Sequence, residues 1–312
     1  MNKYIIGWAI FLALTLSACG SAPKEYYLFT SFHEPATEGL RFLYSEDGLH
    51  WDSIPGIWLR PAVGKQQVMR DPSMVRTPDG VFHLVWTSSW KGDLGFGYAS
   101  SKDLIHWSEQ QLIHVMNDTT TVNVWAPELF YDETEKQFIV VWASCVPNRF
   151  PNGDEEEKNN HRLYYITTKD FQTISDTKLF YDPGFSCIDA TIVKRADADY
   201  VMVLKDNSRP NRNLKVAFAT SPYGPYSAAS LPFTESFTEG PTVAHLGRQY
   251  YIYFDAYKKK TYEAVKTTDF IHFYNANADI SIPNGHKHGT IFKASKEVVE
   301  KMLTLSKPRK ES

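Results

Sequence analysis

Short apolar segments recur along the chain and predict β-strands. Five of them are apolar at almost every position: residues 26–29, 82–86, 138–142, 200–204 and 250–254. A strand with one face in water alternates apolar and polar residues, whereas a continuously apolar strand has both faces covered. The pattern therefore predicts several β-sheets that pack face to face.

Each apolar strand belongs to a longer repeated unit. A further strand follows it and leads into a polar turn and an aromatic residue: residues 42–51, 97–107, 164–171, 217–226 and 264–273. A shorter strand precedes four of the five: residues 72–76, 127–131, 190–194 and 241–245. Units of roughly 50 residues are typical of β-propeller blades. A β-sandwich is the alternative all-β fold, but it would not require a fivefold repeat.

The two ends of the chain complement each other. The N-terminal unit lacks a preceding strand, and a spare strand lies near the other end, at residues 289–293. Joining both termini in one sheet removes the exposed edges of an open array. We therefore predict an all-β fold, a five-bladed β-propeller of four-stranded blades over residues 26–294, with the last blade closed by both termini. Residues 295–312 would form a C-terminal helix and tail.

The N-terminus indicates export. An apolar run at residues 5–16 follows Lys3 and ends in Leu16-Ser17-Ala18-Cys19. It is shorter than a membrane-spanning helix and is typical of a bacterial lipoprotein signal. We expect a signal peptide at residues 1–18, a lipidated Cys19 and a linker at residues 19–25, with the anchor facing the periplasm rather than the cell surface. A plain secretory signal is the alternative.

Composition and charge narrow the class of protein. Hydrophobic residues make up 43% and charged residues 22% of the chain, which is globular composition. The formal net charge is −3 and no basic stripe is visible, which argues against a nucleic-acid partner. We expect a monomer that contacts the membrane only through its N-terminal lipid. Cys145 and Cys187 could form a disulfide or remain free thiols.

The innermost strands of a propeller line a common axis, so equivalent positions meet there. The position just before each innermost strand is occupied by Asp71, Ala126, Asp189, Gly240 and His288, and Glu239 is next to Gly240. Three carboxyl groups should therefore lie together at one end of the axis, where like charges raise one another's pKa. Such a group suits acetal hydrolysis: one carboxylate takes a proton from water and one carboxyl group protonates the leaving oxygen. A third carboxyl group can keep the pKa of the proton donor raised.

The segments around these positions resemble glycoside hydrolase family 43. They are residues 70–72, 125–128, 188–190, 239–241 and 288–290, in that order and in register with the repeat. The resemblance covers about residues 26–294 and implies a five-bladed propeller. By position it implies that Asp71 is the general base, Asp189 the pKa modulator and Glu239 the general acid. Ala190 departs from the family, which often has proline there.

The resemblance also implies binding residues. His288 matches a family histidine near an axial calcium or sodium ion, although a histidine held by hydrogen bonds alone is an equal alternative; the chemistry itself requires no cofactor. From their positions near the axial end of the strands, we expect Trp90, Trp125 and Lys205 to contact sugar, since aromatic rings suit sugar faces and Lys205 could reach a hydroxyl. Core packing or a plain surface position is the alternative for each of the three. The acidic segment at residues 154–158 is most simply a solvated loop, unless it shapes the substrate entrance.

The predicted function is that of an inverting, exo-acting glycosidase that removes terminal arabinofuranosyl residues from plant polysaccharides. β-Xylosidase (xylan-degrading) and galactan- or galactofuranoside-directed activity are alternatives within the family. A non-catalytic sugar-binding propeller would not need three axial acids. A phosphorolytic enzyme would need a basic cluster beside the acids, and only Arg70 and Arg209 stand out as candidates.

Overall fold

The computed structural model describes residues 25–151 and 153–307. The predicted signal peptide at residues 1–18 and the lipidation site Cys19 lie outside the described residues. No helix in the described ranges is long and apolar enough to cross a membrane.

The described residues form nineteen strands and one α-helix. The first eleven strands, in chain order, are β1 (Glu25–Ser31), β2 (Leu40–Ser45), β3 (Asp52–Leu59), β4 (Arg70–Arg76), β5 (Phe82–Thr87), β6 (Gly95–Ser101), β7 (Gln111–His114), β8 (Trp125–Asp132), β9 (Gln137–Ser144), β10 (Arg162–Thr168) and β11 (Lys178–Tyr181). The rest are β12 (Cys187–Ala196), β13 (Asp199–Asp206), β14 (Asn213–Ala219), β15 (Glu239–Leu246), β16 (Gln249–Ala256), β17 (Thr261–Thr267), β18 (Tyr274–Asn275), β19 (Ile291–Ser295) and α1 (Lys296–Leu305).

These strands build five antiparallel sheets, which confirms the predicted five-bladed propeller. From the axis outward, the blades are β4-β5-β6-β7, β8-β9-β10-β11, β12-β13-β14, β15-β16-β17-β18 and β19-β1-β2-β3. We number them one to five in this order. The fifth blade contains the first and the last strand of the described chain, and Phe292 lies opposite Leu28 in its ladder. The closing strand was therefore predicted correctly, although it begins two residues later than expected.

The prediction of four strands in every blade is wrong for blade three, where only three strands are found among the described residues. An irregular segment takes the fourth place: the backbone N–H groups of Ser227 and Ser230 donate to the carbonyls of Phe218 and Val216, each at 2.8 Å. In return, the N–H groups of Phe218 and Val216 donate to the serine hydroxyls, at 3.0 and 3.1 Å. Side-chain oxygens thus replace the carbonyls of a regular ladder.

The core lies between the blades, which explains the continuously apolar second strands. Along β13, Val201 and Val203 pack toward blade four, whereas Met202 and Leu204 pack toward blade two. All four side chains are fully buried. Burying each such side chain contributes about 1.5–3 kcal/mol.

Helix α1 covers the joint between the first and last blades. The hydroxyl of Ser295 accepts a hydrogen bond from the N–H of Val298 and caps the helix N-terminus. Val299 and Met302 are fully buried in the cluster that joins blades five and one. The helix lies within residues 295–312, for which the sequence predicted a C-terminal helix and tail. Cys145 and Cys187 are both buried and unpaired.

The repeated polar turn has a common geometry. Asp103 accepts hydrogen bonds from the N–H groups of Ile105 and His106, at 3.0 and 2.8 Å, and its other oxygen lies 2.8 Å from His106 Nδ1. The same arrangement recurs at Asp47 and Asp269. Because the aspartate side chain satisfies the turn's backbone donors, the pattern that marked the repeat in the sequence is a structural one.

Candidate active site

The innermost strands of blades one to four begin with the same local distortion. Each carries a β-bulge near its start, and the residue at the predicted axial position has a positive φ: Asp71 at 50°, Ala126 at 46°, Asp189 at 52° and Gly240 at 59°. A left-handed conformation costs a residue other than glycine about 1–2 kcal/mol. Strain of this kind collects at functional sites, where surrounding structure holds it in place.

Glycine is required at position 240 by a close contact. A Cβ atom there would lie 2.5 Å from Cγ of His288. The missing side chain therefore gives His288 room to reach the axis.

A cavity of about 290 Å³ opens at this end of the axis. It contains every site residue predicted in the described part of the chain: Asp71, Trp90, Trp125, Asp189, Lys205, Glu239 and His288. The structure therefore brings together residues that are up to 217 positions apart.

Asp71 is held by two partners. One carboxylate oxygen lies 3.0 Å from His288 Nδ1, and the other accepts a hydrogen bond from the hydroxyl of Thr87 at 2.9 Å. Burial by itself would raise the pKa of Asp71, but the positive charges of His288 and Arg70 lower it to about 2. Conversely, burial would lower the pKa of His288, but its acidic neighbours, Asp71 first, raise it to about 9. The two side chains therefore form an ion pair.

Asp189 and Glu239 have opposite environments. Burial raises the pKa of Asp189, and the charges of Glu239 and Asp71 add to this effect against His288 and Lys205. Its carboxylate accepts a hydrogen bond from the N–H of Gly240 at 3.1 Å. Burial would also raise the pKa of Glu239, but Lys205 Nζ lies 2.7 Å from its carboxylate and the net effect is a lowered pKa. Lys205 is thus bound to the acid, whereas the sequence suggested contact with a sugar hydroxyl.

Aromatic rings form one wall of the cavity. The ring centroids of Trp90 and Trp125 lie 5.0 Å apart, and the His161 ring stacks on Trp125 with a centroid distance of 4.9 Å. The guanidinium of Arg70 lies 4.4 Å from the Trp90 ring centroid. Trp90 is 47% exposed, so its ring is available to a ligand.

A sequence model of the glycosyl hydrolase 43-related family, described as "Probable glycosyl hydrolase domain", matches residues 23–300. The chain belongs to this family. It is accordingly a glycosidase. Asp71, Asp189 and Glu239, which the sequence predicted to meet at one end of the axis, line the same cavity there. No curated protein matches the sequence.

Solved structures with the same fold include family 43 enzymes. A thermostable family 43 glycoside hydrolase is 15% identical with a TM-score of 0.54, covering 70% of this chain and 78% of that one. The α-L-arabinofuranosidase of Lactobacillus brevis is 17% identical with a TM-score of 0.52, covering 67% and 72%. The xylan β-1,4-xylosidase of Bacillus halodurans C-125 is 17% identical with a TM-score of 0.52, covering 69% and 42%. At these identities the similarity shows that this glycosidase shares their fold, and it does not identify its substrate.

The surroundings of His288 bear on the predicted axial ion. Its Nδ1 lies 3.0 Å from Asp71, and the acidic neighbours that raise its pKa favour the protonated ring, whereas a histidine that binds a metal directly must be neutral. Among the described residues, no three His, Cys, Asp or Glu side chains are placed to hold a metal ion. An axial ion near His288, bound directly or through water, stays a prediction, and no step below uses a metal.

The acidic segment at residues 154–158 is not simply solvated, because Glu155 folds into the site. Its side chain is 7% exposed and accepts hydrogen bonds from the Ser186 hydroxyl and, at 2.8 Å, from Asn207. It also lies 3.1 Å from His161 Nδ1. The exposed Glu157 pairs with Lys91 at 2.7 Å. The segment therefore forms part of the cavity wall, and Glu155 is held there by Ser186 and Asn207 beside blade three and by His161 beside blade two.

Glu128 is a second acid to which the sequence assigned no role. Its carboxyl group accepts hydrogen bonds from Thr191 at 2.8 Å and Thr290 at 3.3 Å, and the residue lines a small cavity together with Asp71, Asp189 and His288. Burial raises its pKa despite these hydrogen bonds. Its position in the segment 125–128, two residues after the axial Ala126, was the available sequence signal.

Proposed function

We propose that this glycosidase is an inverting, exo-acting α-L-arabinofuranosidase that removes terminal residues from plant polysaccharides. The observation that carries the proposal is the convergence of Asp71, Asp189 and Glu239 in one small cavity. A volume of about 290 Å³ is at the lower end of the range for ligand pockets and suits one or two sugar units. This favours exo action over cleavage within a long chain.

The electrostatics support a division of roles. Because the pKa of Asp71 is about 2, its carboxylate is ionised throughout the neutral range and can take a proton from water. Asp189, with its raised pKa, lies in the same cavity and interacts with the charge of Glu239. Glu239 would donate a proton to the leaving oxygen. A bound sugar excludes water from Glu239, and the resulting desolvation opposes the pKa-lowering effect of Lys205.

Lys205→Met gives a pH-dependent test of these roles. Removing the ammonium group raises the pKa of Glu239, because Lys205 is the largest cause of its lowering. A proton donor is lost as pH rises through its pKa, so a higher pKa extends activity to higher pH. We expect the basic limb of the kcat/KM profile to move upward, which pH–rate measurements on both proteins will show.

Lys258→Met is the matched control, since Lys258 is exposed nearby and does not contact Glu239 in the described structure. Its profile should coincide with that of the parent protein. A basic limb that stays in place, or moves downward, in Lys205→Met would contradict the assignment of Glu239 as proton donor.

A panel of chromogenic glycosides tests the substrate. We expect hydrolysis of the para-nitrophenyl α-L-arabinofuranoside to exceed that of the β-xyloside, the β-galactoside and the galactofuranoside. Proton NMR of the first-formed sugar should show inverted anomeric configuration, because Asp71 acts through water. Retention of the anomeric configuration would exclude the assigned mechanism. Faster cleavage of another glycoside would contradict the arabinofuranoside as substrate and assign that glycoside instead. No turnover of any glycoside would favour a sugar-binding propeller, and turnover that requires phosphate would favour phosphorolysis.

A further inference from the structure

Among the described residues, one basic side chain in the cavity wall has no carboxylate partner. Each of the other cations in the wall has an acidic partner within 3.0 Å: Arg70 with Glu34, Lys91 with Glu157, Lys205 with Glu239 and His288 with Asp71. Arg212 instead donates to the hydroxyl of Tyr257 at 3.4 Å. Its Nε is buried without a hydrogen-bond partner among the described residues.

The backbone fixes Arg212 beside the predicted acid. The carbonyl of Arg212 accepts hydrogen bonds from the N–H groups of Phe237 at 2.7 Å and Thr238 at 3.1 Å, immediately before Glu239. Its own N–H donates to the carbonyl of Ser208 at 3.1 Å, and its φ is 46°. The residue is therefore held by the same segment that presents Glu239, which favours a preorganised site over a mobile surface arginine.

A guanidinium group that faces a cavity without a counter-ion matches a carboxylate in geometry and charge. Its planar N–H donors can bind both oxygens of a carboxylate, and such charge-assisted hydrogen bonds are about twice as strong as neutral ones. The hydroxyl of Tyr257 lies beside the guanidinium and offers a further polar contact. If a hydroxyl group of a neutral sugar bound there instead of a carboxylate, the positive charge of Arg212 would remain uncompensated.

The position of Arg212 indicates which part of the substrate it meets. In an inverting mechanism the acid lies beside the leaving oxygen and the base lies across the cleaved sugar. The guanidinium of Arg212 contacts the hydroxyl of Tyr257, and the Tyr257 ring centroid lies 5.3 Å from Nζ of Lys205. Because Lys205 pairs with Glu239, Arg212 lies on the leaving-group side. We propose that Arg212 binds a carboxylate on the leaving-group sugar, so that the natural substrate is an acidic glycan containing uronic acid units. This inference rests on the proposed role of Glu239 in the proposed function.

Binding of matched sugars tests the inference without turnover. The probes are sodium D-galacturonate and D-glucuronate, each compared with the neutral sugar that carries a primary alcohol in place of the carboxylate, D-galactose or D-glucose. We expect titration calorimetry or ligand-observed NMR to show at least about tenfold tighter binding of the uronates, as a charge-assisted pair would provide. Arg212→Gln should abolish that preference.

Two further variants control for folding and for general charge. Arg248→Gln removes the same charge from an exposed turn at the far end of β15, so the preference for uronates should persist. Arg212→Lys keeps the charge but loses the bidentate geometry, so the preference should fall without vanishing. If Arg212→Gln does not fold, the inference is still tested by comparing the affinity ratio of uronate to neutral sugar in the parent protein with the ratio in Arg212→Lys.

Equal binding of uronates and neutral sugars in the parent protein would overturn the inference, as would a preference that survives in Arg212→Gln. Tighter binding of inorganic phosphate than of the uronates, together with phosphate-dependent turnover, would also overturn it and assign the arginine to a phosphate site. Failure of the proposed function has a different signature, because the chromogenic arabinofuranoside carries no carboxylate. Its turnover reports on the acids, whereas the uronate preference reports on Arg212.

Discussion

Asp71→Asn lowers turnover of the arabinofuranoside by on the order of 10²–10⁴-fold, the usual contribution of a positioned general base. The amide keeps the shape of the side chain but cannot take a proton from water. The loss should be the same for substrates with good and poor leaving groups, since water must be deprotonated in either case. Steady-state kinetics on a para-nitrophenyl and an alkyl arabinofuranoside will measure it.

Asp79→Asn is the matched control for this loss. Asp79 lies in the turn between β4 and β5, at the opposite end of the strand that presents Asp71, and it contacts only its own turn in the described structure. Its activity should equal that of the parent protein. Thermal unfolding should show that Asp71→Asn remains folded, since its hydrogen bond with Thr87 can be retained. A loss below tenfold in a folded variant would contradict the role of Asp71 as base.

Glu239→Gln also lowers turnover by on the order of 10²–10⁴-fold, but only for substrates with a poor leaving group. A glutamine cannot protonate the departing oxygen, whereas an activated phenolate leaves with little protonation. The loss should therefore be large for an alkyl arabinofuranoside and smaller for a dinitrophenyl arabinofuranoside. This dependence on the leaving group distinguishes Glu239 from Asp71.

Glu235→Gln controls for the change of charge near the site. Glu235 precedes Glu239 by four residues, is 79% exposed and pairs with Lys259 at the surface. Its kinetics should match those of the parent protein with both substrates. An equal loss of activity toward alkyl and dinitrophenyl substrates in Glu239→Gln would exclude proton donation to the leaving group as its role.

The charges of the site explain why one cavity can contain so many acids. Asp71 and Glu239 are each balanced by a cation, whereas Asp189 is buried and has a raised pKa. The two cations come from different blades: His288 pairs with Asp71, and Lys205 pairs with Glu239 at another point of the cavity. This arrangement separates the pKa of Asp189 from those of Asp71 and Glu239, so the three neighbouring carboxyl groups need not all be charged at the same pH.

The sequence by itself determined the ring of blades and the axial position of the acids. Strand periodicity and turn composition are local properties, and the apolar β13 sequence already required cover on both faces. Because each blade repeats the same strand order, residues in equivalent positions must meet at the axis, and Asp71, Ala126, Asp189 and Gly240 do share a left-handed conformation there. The spare strand at residues 289–293 also predicted the closing sheet.

Only the tertiary structure decided which side chains pair across the cavity. Lys205 contacts Glu239, and Glu155 turns inward to Ser186 and Asn207. Arg212 has no carboxylate partner in the part of the chain that the structure describes and contacts Tyr257 instead. None of these contacts follows from strand periodicity, because they join loop and strand-end residues from different blades. Distances of a few ångströms between packed blades decide which of these side chains come into contact. Burial and the neighbouring charges then shift the pKa of each group. A repeat pattern contains no information on those distances.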